Sequence, residues 1–181
     1  VLLMAKNIDS HNSDLMYNFS LLYCSLKKYD LSLIYIDKAI DLSQSIEMYK
    51  ILKADLLIRM NQLDEALSLL YSLNNSINDY KQLQIKSLFS EIFIRKKRFY
   101  EAEQILLELI TNFSNSSIGY LNLSNLYLIT KDLNKGIELL KRGLKIFPNN
   151  IPFYKNLALM YRSTGKTKSA KDFHLFIIKN D

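Results

Sequence analysis

Tyr154-Lys155-Asn156-Leu157-Ala158-Leu159-Met160-Tyr161, followed by Gly165 and Ala170, decides how the rest of the chain is read. A small residue, Ala158, has large aromatic residues four places before it and three after it, Tyr154 and Tyr161. Spacings of three and four put such residues on one face of an α-helix, with a gap at its centre where a second helix can come close. The next small residue, Ala170, lies twelve places after Ala158, beyond a glycine suited to the turn between two helices. The stretch therefore reads as a helix, a turn and a second helix packed on the first.

The same frame recurs along the chain. Small residues serve as anchors at Ser20, Ala54, Ser90, Ser124 and Ala158, separated by 34, 36, 34 and 34 residues. Three places after each stands a large apolar residue: Tyr23, Leu57, Phe93, Tyr127 and Tyr161. Twelve places after each stands another small one: Ser32, Ala66, Ala102, Gly136 and Ala170. A looser set follows at nineteen: Ala39, Leu73, Leu109, Gly143 and Ile177. One helix pair is too small to bury its own apolar face, so stacking on its neighbours is obligatory.

These residues resemble the tetratricopeptide repeat, whose period is about 34 residues. The likeness is closest at Tyr154–Tyr161, nearly as close at Tyr120–Tyr127 with Pro148 in the closing position, and good at Met16–Tyr23. Lys50 and Lys86 stand where a large aromatic is usual, but Asp64-Glu65-Ala66 and Tyr100-Glu101-Ala102 restore the pattern. The resemblance implies an all-α, right-handed superhelical solenoid of antiparallel helix pairs. One domain over 1–181 is expected: the tail of a partial repeat at 1–12, then repeats at 13–46, 47–82, 83–116, 117–150 and 151–181. Helices are expected over 14–26, 30–42, 46–59, 63–73, 81–96, 99–113, 117–130, 133–146, 151–163 and 167–179. The two extra residues in the second interval fall in the polar stretch Asn74–Tyr80, read as a lengthened loop.

Composition agrees. The chain is 49% hydrophobic with only four Gly and two Pro, which suits helices joined by short turns. The single cysteine, Cys24, excludes an internal disulfide framework and fits a reducing compartment, so a cytoplasmic location is favoured. No apolar run approaches the roughly 18 residues of a membrane span. The chain begins at Val1 rather than Met, and both ends read as unfinished. Phe173, Phe176, Ile177 and Ile178 make the last helix strongly apolar, so a further domain, a downstream helix or a second copy of the chain is expected to cover it. Charge is uneven: residues 1–90 balance at −1 and residues 91–181 at +7, within a net charge of +6.

No constellation for catalysis emerges, so no enzyme activity, metal or cofactor is expected within these residues. Gly165-Lys166-Thr167 echoes a phosphate-binding loop, but that loop needs a glycine where Met160 stands. His11 and His174 belong to no metal-ligand or nucleophile spacing. Arg95-Lys96-Lys97-Arg98 is the one dense basic run, and it falls where a helix C-terminus favours cations.

The resemblance implies a ligand groove lined by the first helix of each pair. That face should present Tyr17, Asn18 and Leu21; then Ile51, Leu52, Asp55 and Arg59; then Ser87, Leu88, Glu91 and Arg95. The fourth repeat should add Leu121, Asn122 and Asn125, and the fifth Lys155, Asn156, Leu159 and Arg162. Asn18, Asn122 and Asn156 share one position, which resembles the asparagine ladder of O-linked GlcNAc transferases, with Leu52 and Leu88 interrupting it. An amide both donates and accepts, so it can pair with a peptide backbone of any sequence. Asn122 and Asn156 are expected to project onto one strip without a part in the core. The Lys and Asn of the chaperone-tail carboxylate clamp are replaced by Tyr17 and Leu21, so that role is not expected. The leading expectation is a scaffold binding another protein or peptide in this groove. The alternatives are the recruiting arm of a larger transferase, or an anion- or RNA-binding solenoid through the basic half, with nucleic acid the less favoured partner.

Overall fold

The computed structural model describes residues 12–43, 47–73 and 79–180. Among them are ten α-helices and no strand. In chain order they are α1 (Ser13–Ser25), α2 (Tyr29–Leu42), α3 (Glu47–Arg59), α4 (Leu63–Leu73), α5 (Asp79–Arg95), α6 (Phe99–Asn112), α7 (Ile118–Thr130), α8 (Leu133–Ile146), α9 (Ile151–Ser163) and α10 (Thr167–Asn180). Their ends lie within two residues of the sequence expectation. The N-terminal tail expected at 1–12 lies outside the described residues except for Asn12, which caps α1. Of the loop expected at Asn74–Tyr80, residues 74–78 lie outside them, and Asp79 and Tyr80 already belong to α5.

Two compact units divide the chain, Val1–Leu88 and Phe89–Asp181. In the first, α1 packs on α2, α2 on α3 and α3 on α4. In the second, α6 packs on α7, α7 on α8, α8 on α9 and α9 on α10, while the first helices α7 and α9 also touch. Within each unit, the contacts between neighbouring helices follow the arrangement the repeat demands, a second helix meeting both its own first helix and that of the next pair.

Every anchor and every partner twelve places on is buried, as is the set nineteen places on. Where serines fill these positions, a hydroxyl must be satisfied inside the contact. Ser32 Oγ donates to the Ser20 carbonyl at 2.7 Å and lies 2.9 Å from Ser20 Oγ, so the first repeat closes on a bonded serine pair. Gly136 serves the same contact in the fourth repeat: a Cβ there would meet the Met160 thioether, with Sδ at 2.7 Å, and Tyr127 Cβ at 3.3 Å. A Cβ at Gly143 would meet the rings of Phe153 at 2.8 Å and Tyr120 at 3.0 Å.

The turn inside each repeat is equally regular. Seven places after each anchor the backbone enters the left-handed region, at Lys27 (φ 57°), Asn61 (63°), Lys97 (60°), Lys131 (64°) and Gly165 (76°). In four of the five turns this residue's N–H bonds three residues back and the next N–H five back, as in Arg98 N to Phe93 O at 2.8 Å. That is the paired-bond cap which satisfies the last carbonyls of a helix. Residues Arg95–Arg98 therefore complete α5 and its cap, and the Arg98 guanidinium lies over the Phe93 ring at 4.5 Å.

The aromatic missing at Lys50 and Lys86 is replaced by a large side chain one place earlier. Tyr49 and Ile85 are buried there, and the two lysines are only half-buried.

Candidate functional site

First-helix faces of the two units present different chemistry. In the first unit, Tyr17 stacks on Tyr49 with ring centroids 5.1 Å apart, and Tyr49 donates its hydroxyl to the Asp14 carboxylate. Burial, reinforced by that carboxylate, holds the Tyr49 hydroxyl above its ordinary range. Asn18 and Leu21 are exposed, Ile51 is buried and Leu52 half-buried against the core. Three ion pairs tie charges of this unit together. Arg59 Nε donates to Asp55 Oδ2 at 2.7 Å, Lys53 meets Asp37 at 2.7 Å, and Lys81 meets Glu47 at 2.8 Å. The Asp55 hydrogen bond raises the Arg59 pKa, and the Lys81 hydrogen bond lowers that of Glu47. Cys24 lies within the field of Asp55 and Arg59, and burial pushes its thiol up. It is therefore less of a nucleophile than a free cysteine. Ser87 and Leu88, both half-buried, close this unit.

In the second unit, Glu91 and Arg95 form an exposed pair at 2.7 Å, one helical turn apart. Such a pair contributes about 0.2–0.5 kcal/mol to its helix. On α7, Leu121 and Asn122 are half-buried and Asn125 is exposed; on α9, Lys155, Leu159 and Arg162 are exposed. Asn122 makes no side-chain hydrogen bond among the described residues.

Asn156 departs from the expectation that it projects onto an open strip with no part in the core. It is buried, at 9% exposure, and its Nδ2 donates to Ser124 Oγ and to Asn125 Oδ1, each at 2.7 Å. Ser124 in turn donates to the Leu121 carbonyl at 2.7 Å. Both amide protons of Asn156 are thus committed between α7 and α9, and the side chain is part of the interface between successive repeats. The exposed amide there belongs to Asn125, one turn further along α7 than Asn122. The sequence groups the three asparagines by position. What position alone does not reveal is the polar pair Ser124-Asn125 in the preceding repeat, which draws the Asn156 amide inward.

Tyr127, at the back of α7, donates to Glu103 Oε1 at 2.7 Å. Burial first, and the carboxylate second, push its hydroxyl pKa well up. His174 is exposed on α10, and His11 lies outside the described residues. Gly165 forms the cap after α9, so Gly165-Lys166-Thr167 is a helix-to-helix turn. Among the described residues no helix is long and apolar enough to cross a membrane.

The family model for the tetratricopeptide repeat matches residues 13–46 and 119–150. The fold is similar to that of TTC0263, a thermophilic tetratricopeptide-repeat protein of Thermus thermophilus, with a TM-score of 0.78 at 15% identity over 93% of this chain and 91% of that one. It is similar to yeast Tom70, with a TM-score of 0.75 at 19% identity over 99% of this chain and 38% of that one. It is also similar to YrrB, described as a tetratricopeptide-repeat protein with an unusual peptide-binding site, with a TM-score of 0.58 at 13% identity over 100% of this chain and 92% of that one. At these identities the likeness is one of fold. No curated protein sequence matches the chain. Residues 13–46 and 119–150 thus match the tetratricopeptide repeat, and the helix pairs have the tetratricopeptide-repeat fold.

Proposed function

We propose that this chain is a protein-binding scaffold which holds an extended peptide or a helix on the faces of its first helices. The observation that carries the reading is the character of the α7–α9 face. Amides, aliphatic side chains and cations lie side by side there in partial or full exposure, at Leu121, Asn122, Asn125, Lys155, Leu159 and Arg162. A backbone-directed ligand needs amides to pair with its peptide groups and aliphatic ground on which to rest side chains. Nothing in the core of the repeat requires Asn125 or Leu159 to be outside. YrrB, similar in fold, supports the class of ligand.

A photo-crosslinking amino acid at Asn122, Asn125 or Leu159 should capture a polypeptide in cells. The same group at Lys141 or Lys145, exposed on the second helix α8, should not. Equal capture at both sets of positions would sink the first-helix reading.

A further inference from the structure

We infer that the α7–α9 face of the second unit selects an acidic peptide, one carrying Asp or Glu among apolar side chains; this rests on the peptide-binding reading above. The first observation is what the two helices lack. Neither α7, Ile118–Thr130, nor α9, Ile151–Ser163, contains a single carboxylate, whereas α9 carries Lys155 and Arg162. The nearest acid along the chain, Asp132, lies beyond the end of α7 and accepts from the Thr130 hydroxyl at 2.9 Å.

The second observation is arrangement. Lys155 and Arg162 are seven residues apart, two turns on one face, or about 10 Å along the helix axis. Leu159 stands between them, exposed, so α9 presents a cation, an aliphatic side chain and a second cation in line. Beside this row runs the α7 row of Asn122, Asn125 and Ile129, the last 54% exposed. The 2.7 Å bond from Asn156 to Asn125 fixes the two rows next to each other.

The third observation is contrast. Lys53, Arg59 and Lys81 on the first unit, and Arg95 and Arg98 on the second, meet carboxylates of their own chain. Arg162 has no ion pair and no side-chain hydrogen bond among the described residues. An exposed guanidinium with five donors, beside aliphatic and amide groups and with no carboxylate on its own helix, is complementary to a ligand that brings the carboxylate and an apolar residue together. A neutral or basic peptide would leave that charge unanswered or opposed. The paired aliphatic residues distinguish this ligand from a bare polyanion, which has no use for Leu159 or Ile129.

The test is a randomised 12-residue peptide library displayed on phage and panned against the whole chain at physiological salt. Selected peptides should be enriched in Asp and Glu interspersed with Leu, Ile or Phe, relative to the input library. Panned against Arg162→Gln with Lys155→Gln, the acidic enrichment should vanish, while Lys141→Gln with Lys145→Gln, which removes the same charge from α8, should keep it. A selected peptide should bind the first variant about three- to tenfold more weakly, as expected for partly exposed charge contacts. Circular dichroism melts of both variants confirm that the fold is kept, and Arg162→Lys should restore most of the binding if one variant is unstable. Enrichment of neutral or basic peptides would overturn the acidic selection and leave peptide binding standing. No enrichment of any peptide would overturn both. Displacement of the selected peptides by a 12-nucleotide single-stranded RNA at equal affinity would overturn the peptide reading in favour of a nucleic-acid one.

Discussion

Lys97 adopts a φ of 60°, in a region where a Cβ crowds the backbone. An L-residue in this conformation costs roughly 1–2 kcal/mol, and glycine is relieved of that cost but loses more freedom on folding. Lys27 and Lys131 share the position and the conformation, and Gly165 shows what the turn prefers. Lys97→Gly should therefore raise stability by about 0.5–1 kcal/mol. Asn61→Gly should gain less, because asparagine visits the left-handed region more readily than lysine does. Chemical denaturation of the two variants checks both the sign and the order; a loss on Lys97→Gly would mean that Lys97 makes a contact that outweighs its backbone strain. The turns were legible in the sequence only at Gly165. At the other four the residue type conceals the geometry, and only the period of the repeat points to it.

At the scale of the helix, the repeat contacts are set by volume. Small residues at each anchor and twelve places after it were readable because side-chain size and a 34-residue period carry the information directly. The pairing of Asn156 with Ser124 and Asn125 was not, because it depends on side chains 32 and 31 residues earlier. Tyr49 and Ile85, filling for Lys50 and Lys86, show a similar limit: a one-place shift of a large side chain is easily missed when positions are compared column by column. The glycines on α8 give a graded test of these contacts. Alanine gains helix propensity at either site, about 1 kcal/mol. At Gly136 the new methyl meets the end of Met160, a flexible side chain that can move aside. At Gly143 it meets two rigid rings, those of Phe153 and Tyr120. Gly143→Ala should then be net destabilising, by about 1–2 kcal/mol of overpacking beyond the propensity gain, and Gly136→Ala near neutral. Thermal melts should rank Gly143→Ala below Gly136→Ala and below the parent; the reverse order would show that α8 is free to slide away from α9.

At the scale of the whole molecule, each of the two units carries its own core, the first around Phe19, Tyr35 and Tyr49 and the second including Leu123, Leu140 and Phe153. Repeat arrays gain stability from nearest neighbours, so damage should stay local. Gly136→Val forces a branched side chain against Met160 and Tyr127, and should strip amide-exchange protection from α8 and α9. Protection in α1–α4 should change by less than about twofold. Uniform loss along the chain would mean that the units melt as one. The basic balance of residues 91–181 was legible by counting, but its meaning was not, because counting cannot tell a cation already answered by its own chain from one left facing outward. The bridge from Asn156 to Asn125 has a last consequence, one of timing. Because the Asn125 oxygen accepts from a side chain of the following repeat, the orientation of this exposed amide is set when the repeats stack. A polar group held in that way gives up less freedom on meeting a partner than one left to rotate.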